Sequence, residues 1–236
     1  MQMGTVSVII PVYNHEEFIG EAIESVLVQS YPYTQIIVVN DGSTDGTKDV
    51  LETYKGRIEV IHQSNAGPSA ARNNGISRAT GEFICFFDSD DKFLPGKIVR
   101  QLSIFQSRPD VGLVHTGINI VHKNGDYWYT MTKPVYHTRE EQIVRLLEAN
   151  YIACPTVMIR RELLSQVGLF NEKYHRAEDY DMWLRLLTCC NFAAIPEPLV
   201  DYRWHGRNIS AYRDFVAEQE IKEAARKRFA ALGYNL

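Results

Sequence analysis

The sequence predicts an α/β fold, with a mostly parallel sheet flanked by helices and a small mixed region in the second half. Short apolar runs alternate with amphipathic segments over the first hundred residues, and the runs are rich in β-branched side chains. This rhythm stops in the second half, where longer apolar and aromatic runs follow one another. Alternating strands and helices imply right-handed crossovers and therefore parallel pairing.

The first half supplies four strand candidates and three helix candidates. Strands are predicted at residues 6–10, 35–39, 58–61 and 83–87. Helices are predicted at 18–27, at 44–54, and from Pro68 to before Gly81. The first of these helices is preceded by Asn14 and Glu17 at the spacing of a capping box, which predicts how it starts.

The second half supplies fewer regular elements. A strand is predicted at 111–121, a hairpin turn at 123–126 and an aromatic strand at 127–129. A helix at 139–149, a mixed region to about residue 194 and a charged helix at 211–232 complete the chain. No repeat or linker interrupts it, so one compact domain is expected.

The bulk properties exclude some classes of function. The 236 residues are 45% hydrophobic and 23% charged, an ordinary globular balance. The net charge is −4 with scattered lysines and arginines, which argues against a nucleic-acid partner. None of the four cysteines forms a CxxC pair, and neither a signal peptide nor a spanning apolar stretch is visible, so a cytoplasmic location is expected.

Polar clusters follow three of the predicted strands. These are Pro11 to Tyr13 after the first strand, Asn40-Asp41 after the second and Asp88 to Asp91 after the fourth. Ligands of open α/β sheets bind beyond the carboxyl ends of the strands. We therefore expect the three clusters to line one rim of the sheet.

Asp88-Ser89-Asp90-Asp91 places three carboxylates directly after a buried strand. Like charges this close repel each other, unless a cation neutralises them. Mg²⁺ or Mn²⁺ prefers oxygen ligands and could be shared with a diphosphate. The motif is equally compatible with an acidic turn in which Asp90 or Asp91 caps the next helix.

Four blocks in order resemble the inverting GT-A glycosyltransferases of family 2. They are VSVIIPVYN from residue 6, VVNDGSTDGT from residue 38, NAGPSAARNNG from residue 65 and DSDD from residue 88. The resemblance implies a Rossmann-like GT-A fold, with residues 1–110 binding the donor and residues 111–236 carrying the acceptor side and the catalytic base. It also implies that Asp90 is a ligand of Mn²⁺ or Mg²⁺. The nucleotide site that it implies consists of Pro11, Tyr13, Asp41, Arg72, Asp88 and Ser89.

The individual roles follow from the same resemblance. Tyr13 would lie against the base, and Asp41 would accept a hydrogen bond from a base N–H group. Arg72 would contact base or phosphate, and Asp88 the ribose. From the residues alone, other roles stay open: Tyr13 as ordinary packing, Asp41 capping the turn at residues 42–44, and Arg72 in a surface ion pair.

AEDYDMWLRL from residue 177 resembles the acidic motif of the same family, which makes Asp179 the general base and Glu178 its catalytic neighbour. A helix N-terminus lowers the pKa of an aspartate, whereas neighbouring Glu178 and Asp181 raise it. The sequence leaves this balance open, together with the alternative that Asp179 caps a helix at 180–188.

YRWHGRNIS from residue 202 resembles the late loop of the family. The resemblance makes His205 a candidate metal or phosphate ligand, and Arg203 and Arg207 weaker candidates for the diphosphate. A histidine packed beside a tryptophan is the alternative for His205.

The resemblance implies transfer of a sugar, with a UDP-sugar favoured as donor, to a carbohydrate or glycolipid hydroxyl in surface polysaccharide or glycolipid synthesis. The acceptor is expected to bind at residues 126–136 and 174–176. Two alternatives stay open: a nucleotidyltransferase that makes nucleotide-sugars, and a binding module without turnover. The basic, aromatic C-terminal helix is explained equally by peripheral membrane association and by a solvated face.

Overall fold

The computed structural model describes residues 4–206, 208 and 211–235. The strands are β1 Val6–Val12, β2 Thr34–Asp41, β3 Glu59–Gln63, β4 Phe83–Phe86, β5 Lys92–Phe93, β6 Val111–His122, β7 Tyr127–Met131, β8 Met158–Arg160 and β9 Asn191–Trp204. The helices are α1 Ile19–Leu27, α2 Thr47–Glu52, α3 Pro68–Arg78, α4 Lys97–Ser107, α5 Arg139–Glu148, α6 Leu164–Val167, α7 Glu178–Leu186 and α8 Phe215–Ala231.

The first half forms the parallel part of the sheet. β1 lies between β2 and β4, β3 pairs with β2, and all these pairs are parallel. Helix α3 packs very closely on this sheet, since a Cβ atom added at Gly75 would lie 2.4 Å from Ile9 Cγ2. The close approach sets the N-terminal turn of α3 at the carboxyl ends of β1 and β2. The predicted strand and helix alternation is confirmed here.

The predicted capping box at the start of α1 is wrong. The helix begins at Ile19 after Phe18, and no side chain caps it. Asn14 instead adopts a left-handed conformation with φ of 53°. Its side-chain oxygen accepts a hydrogen bond from the backbone N–H of Thr44 at 2.7 Å, and its own N–H donates to Ser43 Oγ at 3.0 Å. Asn14 thus joins the loops that follow β1 and β2.

The second half makes the sheet mixed. Among the described strands, β8 is antiparallel to both β4 and β6, β5 is antiparallel to β9, and β7 is antiparallel to β6, whereas the long strands β6 and β9 are parallel. The α/β fold is confirmed, and its parallel pairing is concentrated in the first half. The predicted hairpin turn is present, with Gly125 at φ of 89°.

Strand β9 was not predicted, because Pro196 and Pro198 interrupt its pattern. Pro198 lies opposite Gly117 at shifts in the β6–β9 register. A proline cannot donate a ladder hydrogen bond, so it is tolerated where the pairing is already irregular. Pro196 accepts instead, through its carbonyl, a hydrogen bond from the N–H of Lys133 at 3.4 Å.

The sheet separates two apolar layers. Alternate residues of β1 enter different layers, with Ile9 in one and Val8 and Ile10 in the other. The first layer contains helix α7 and the inner face of α8, and the second contains α1 and α4. Strands from both sides of residue 110 share this one sheet. No helix in the described ranges is long and apolar enough to cross a membrane.

Candidate active site

A cleft of about 1270 Å³ lies over the carboxyl ends of β1, β2 and β4 and extends across β6 and β9. Its walls include most of the residues that the sequence singled out: Pro11, Tyr13, Asp41, Arg72, Asp88, Ser89, Asp90, Glu178, Asp179 and His205. The fold therefore brings together residues up to nearly two hundred positions apart. The expectation that three strand ends share one rim is confirmed.

The carboxylates that follow β4 have different partners. Asp88 accepts a hydrogen bond from Arg72 at 2.9 Å, and Asp90 contacts His205 Nε2 at 2.8 Å. Asp91 is buried and accepts the backbone N–H of Arg203 at 2.9 Å. Helix α4 starts only at Lys97, after Gly96, so the alternative of a helix cap at Asp90 or Asp91 is wrong. Asp91 braces the loop against β9.

Arg72 connects the two halves of the chain. Its guanidinium is almost fully buried, with Nη1 2.6 Å from Glu178 and Nη2 2.9 Å from Asp88. A buried charge is strongly destabilising unless it is paired, and Arg72 is paired on both sides. The alternative of a surface ion pair is wrong, because these pairs are internal. Contact between Arg72 and a nucleotide stays a prediction.

Asp41 holds the loop that leads into α3. One carboxylate oxygen accepts from Gln63 Nε2 at 2.8 Å and from the N–H of Ala66 at 2.9 Å, and the other accepts from the N–H of Gly67 at 2.9 Å. The turn at residues 42–44 is instead capped by Asn40, whose Oδ1 accepts from Ser43 N at 3.0 Å. Tyr13 is 47% exposed and lines the same wall of the cleft.

Three side chains form a candidate metal site. One ligand atom each of His15, Asp90 and His205 lies within 4.8 Å of the others. The residues come from the loop after β1, the loop after β4 and the end of β9. Two imidazoles and a carboxylate are a suitable donor set for a divalent transition metal. The residues therefore fit the cation that the resemblance implies.

The surrounding contacts orient the two histidines. His15 Nδ1 lies 2.8 Å from Ser89 Oγ, and the His205 ring stacks on Phe18 with 5.3 Å between ring centroids. Metal-binding histidines are generally fixed by such outer contacts, which leave the second nitrogen for the ion. His205 is thus packed against an aromatic ring and directed at Asp90 at the same time.

Asp179 lies in the first turn of α7. Its Oδ1 accepts the N–H of Tyr180 at 2.7 Å, and its Oδ2 accepts from Asn150 Nδ2 at 3.3 Å. The carboxylate is partly accessible from the cleft, yet protein surrounds it closely. Burial and then the charge of Glu178 raise the pKa of Asp179 to about 7, against the lowering effects of Arg72 and the Tyr180 N–H.

The structure thus answers the question that the sequence left open for Asp179. Burial and the charge of Glu178 raise the pKa of Asp179 by more than the start of the helix lowers it. The predicted contribution of Asp181 is wrong, because its carboxylate pairs with Arg185 at 2.8 Å within the helix. A carboxylate whose pKa lies near neutrality can take a proton from a hydroxyl and release it again under physiological conditions.

Arg203 has protein partners in this structure, and its predicted diphosphate role stays a prediction. Its side chain is buried outside the cleft, where Nε donates to the carbonyl oxygen of Asp90 at 2.9 Å and Nη1 to that of Lys123 at 2.8 Å. Nη2 pairs with Glu21. The guanidinium therefore braces the loops that contain Asp90 and Lys123. Arg207 lies outside the described residues.

Two residues of the site escaped the sequence reasoning. His15 follows β1 in the same loop as Tyr13, so the rule that strand ends carry ligands could have included it. Asn150 carries no local signal. It lies beyond α5 and reaches Asp179 only because α5 and α7 pack against each other.

Comparisons with known proteins show which family the chain resembles. Residues 7–168 match a family described as Glycosyl transferase family 2. The chain is 35% identical to the "Putative teichuronic acid biosynthesis glycosyltransferase TuaG" of Bacillus subtilis (strain 168), over 87% of this chain and 81% of the relative. It is 33% identical to the "Uncharacterized glycosyltransferase RT0329" of Rickettsia typhi (strain ATCC VR-144 / Wilmington), over 85% of this chain and 64% of that protein.

Solved structures of S. aureus TarS 1-349 have the same fold. The complex with UDP-GlcNAc superposes with a TM-score of 0.72 and 25% identity, covering 95% of this chain and 66% of TarS 1-349. The complex with UDP superposes with a TM-score of 0.72 and 24% identity, covering 94% of this chain and 65% of TarS 1-349. The chain thus spans about two thirds of the length of TarS 1-349 and of the Rickettsia relative.

Proposed function

This chain belongs to glycosyl transferase family 2, and we propose that it transfers a sugar from a UDP-sugar to a hydroxyl acceptor with inversion at the anomeric carbon. The observation that carries the proposal is that the candidate metal site and Asp179 line one cleft. The UDP and UDP-GlcNAc complexes of TarS support the choice of donor.

The nucleoside is proposed to bind on the wall formed by Pro11, Tyr13 and Asp41. The half-exposed ring of Tyr13 offers a flat face against which a base can stack. Asp41 fixes the backbone of residues 65–67 beside that face. Asp88, oriented by Arg72, is the candidate ribose contact, since a carboxylate accepts hydrogen bonds from hydroxyl groups.

The cation is proposed to bind to His15, Asp90 and His205. When bound, it would neutralise the charge of the departing diphosphate as a Lewis acid. Two of the three protein ligands are imidazoles, which suit transition metals better than Mg²⁺. We therefore favour Mn²⁺ over Mg²⁺ as the ion of this site. Ser89 would contribute by fixing the ring of His15.

Asp179 is proposed to remove the proton of the acceptor hydroxyl. Inverting transfer needs one base on the face of the sugar opposite the leaving group, and Asp179 comes from the other half of the chain. Glu178 raises the pKa of Asp179 and holds Arg72 at 2.6 Å. We therefore propose Glu178 as a positioning residue that acts through Asp179 and Arg72.

The biological setting is proposed from the Bacillus relative, whose name assigns it to teichuronic acid biosynthesis. Synthesis of a surface polysaccharide or glycolipid by transfer of a hexose is the matching proposal for this chain. The cytoplasmic location, the peripheral membrane contact and the division of the chain at residue 110 stay predictions.

The test is a panel of UDP-sugars and glycan acceptors assayed with Mn²⁺, with Mg²⁺ and with EDTA. We expect transfer that EDTA abolishes and Mn²⁺ restores best, with the opposite anomeric configuration in the product by NMR. Retention of configuration would contradict the single displacement. Release of pyrophosphate from UTP and a sugar phosphate would instead favour a nucleotidyltransferase. Binding of UDP without any turnover would favour a binding module.

A further inference from the structure

Lys133 is a nearly buried cation in the wall of the cleft. The residue is 8% exposed and follows β7 by two positions. Across the described ranges, no carboxylate lies within 4 Å of its ammonium group, and no hydrogen bond from that group is formed. Lys97, which is fully buried, differs in this respect: its Nζ donates to Gln101 at 2.8 Å and lies 4.2 Å from the centre of the Phe93 ring.

His115 is a polar neighbour of Lys133 that carries no negative charge. His115 lies close by and is buried, and burial followed by the charge of Lys133 lowers its pKa to about 3, so the ring is neutral. The Tyr151 ring packs against His115, with 5.8 Å between centroids, and Tyr136 packs against Tyr151 at 5.4 Å. Burial alone lowers the pKa of Lys133. A buried ammonium in such surroundings gains stability from an anion that enters the cleft.

Lys133 follows the end of β7 that lies away from Arg203. Arg203, which contacts Asp90, pairs with Val121 of β6, and Met131 of β7 pairs with Ile118. Because β7 is antiparallel to β6, the chain from Met131 to Lys133 continues away from Val121.

Lys133 belongs instead to the side of the cleft from which the acceptor must reach Asp179. Tyr151 is the neighbour in sequence of Asn150, which contacts the Asp179 carboxylate. The partly exposed rings of Tyr129 and Trp128 line the same side and offer faces for sugar rings.

Resting on the proposed transferase function, we propose that Lys133 binds an anionic group of the acceptor glycan, a carboxylate or a phosphate, and so makes the enzyme select acidic acceptors. The ammonium supplies the charge, and its burial in the wall of the cleft limits the access of water to the contact. The sequence had assigned residues 126–136 to the acceptor without naming a chemistry for it.

The proposal is tested with three probes that share one ring: methyl β-D-glucoside, methyl β-D-glucuronide and methyl β-D-glucoside 6-phosphate. Their binding is measured by NMR titration in the presence of UDP and Mn²⁺, so no turnover is needed. We expect the wild type to bind one or both anionic probes about 10- to 100-fold more tightly than the neutral one. Which anion binds better identifies the source of the charge.

Lys133→Gln should remove this preference and leave binding of the neutral probe and of UDP unchanged. Lys133→Arg should retain most of it, and Lys48→Gln, which changes an exposed lysine outside the cleft, should retain all of it. Unchanged UDP affinity also verifies that the variants are folded.

Equal binding of neutral and anionic probes by the wild type would overturn the proposal, as would equal weakening of all probes by Lys133→Gln. The proposal would also be overturned if the wild type preferred UDP-glucuronate to UDP-glucose and Lys133→Gln lost that preference, because Lys133 would then bind the donor. Transfer to neutral acceptors at the same efficiency as to acidic ones would refute the inference while leaving the proposed function intact. Absence of any transfer would refute the proposed function.

Discussion

The proposed donor side and the proposed acceptor side of the cleft differ in how their charges are compensated. On the donor side, Arg72 is paired with both Asp88 and Glu178, and Asp41 accepts three hydrogen bonds. On the acceptor side, Lys133 has no anionic partner among the described residues. A side that is internally paired holds its geometry before a ligand arrives. A side with an uncompensated charge is completed by its ligand, which is the reason for proposing that Lys133 provides specificity for the acceptor.

The largest expected effect separates the base from the donor site. Asp179→Asn removes the proposed general base, so we expect kcat to fall about 10²- to 10⁴-fold. UDP affinity, measured by calorimetry, should not change, because Asp179 lies outside the proposed nucleotide wall. Asp49→Asn, at an exposed position of α2, is the control and should behave as wild type. Transfer by Asp179→Asn at the wild-type rate would exclude Asp179 as the base.

The second prediction tests the donor side at its metal site. His15→Gln removes one of three candidate ligands, so the Mn²⁺ concentration for half-maximal activity should rise about 10- to 100-fold. Saturating Mn²⁺ should recover part of the rate. The matched control is His62→Gln, which changes an exposed histidine on β3. A Mn²⁺ dependence identical to that of the wild type would remove His15 from the site.

The third prediction concerns pH and tests the link between the two sides. Asp179 accepts a proton only when deprotonated, so kcat should fall as the pH falls through its pKa of about 7. Glu178→Gln removes a charge that raises this pKa, and Arg72, which lowers it, loses a partner. The acidic limb of the pH profile should therefore move to lower pH, which is measured with buffers of constant ionic strength. A limb that stays in place would mean that another group titrates.

The smallest expected effect distinguishes a structural role of Arg203 from the predicted diphosphate role. Its guanidinium donates to the carbonyl oxygens of Asp90 and Lys123 and pairs with Glu21. Arg203→Gln should lower the free energy of unfolding by about 1–3 kcal/mol, since buried polar groups lose their partners. The affinity for UDP should change little. Arg57→Gln, which breaks an exposed pair with Glu24, is the control for stability. A large loss of UDP affinity with unchanged stability would favour the diphosphate role.

The sequence predicted the first half well because its signals are local. The β-branched run at Val8 to Ile10, the proline at the start of α3 and the polar residues after each strand can all be recognised without knowing the neighbours. The four ordered blocks predicted a family 2 glycosyltransferase, and the family and the fold are confirmed. The predicted cap of α1 was wrong because Asn14 forms hydrogen bonds with Ser43 and Thr44 in the loop after β2. Local spacing in the sequence does not reveal such partners.

The sequence could not predict the second half to the same degree. Strand β9 contains two prolines that only an irregular register with β6 accommodates. Asn150 and Lys133 belong to unrelated segments, and their roles depend on what packs beside them. Arg203 looked like a phosphate ligand by its type and its motif, but its buried contacts also give it a structural role in the loop.

The amino-acid sequence by itself determined the α/β class, the alternation of strands and helices in the first half and the carboxylate cluster from Asp88 to Asp91. These depend on periodicity, on turn residues and on the rule that ligands gather at strand ends. Only the tertiary structure decided which carboxylate contacts His205, why the pKa of Asp179 is high and where a lysine without an anionic partner among the described residues lines the cleft. Those properties depend on burial and on charges distant in sequence, and both come into existence only when the chain folds.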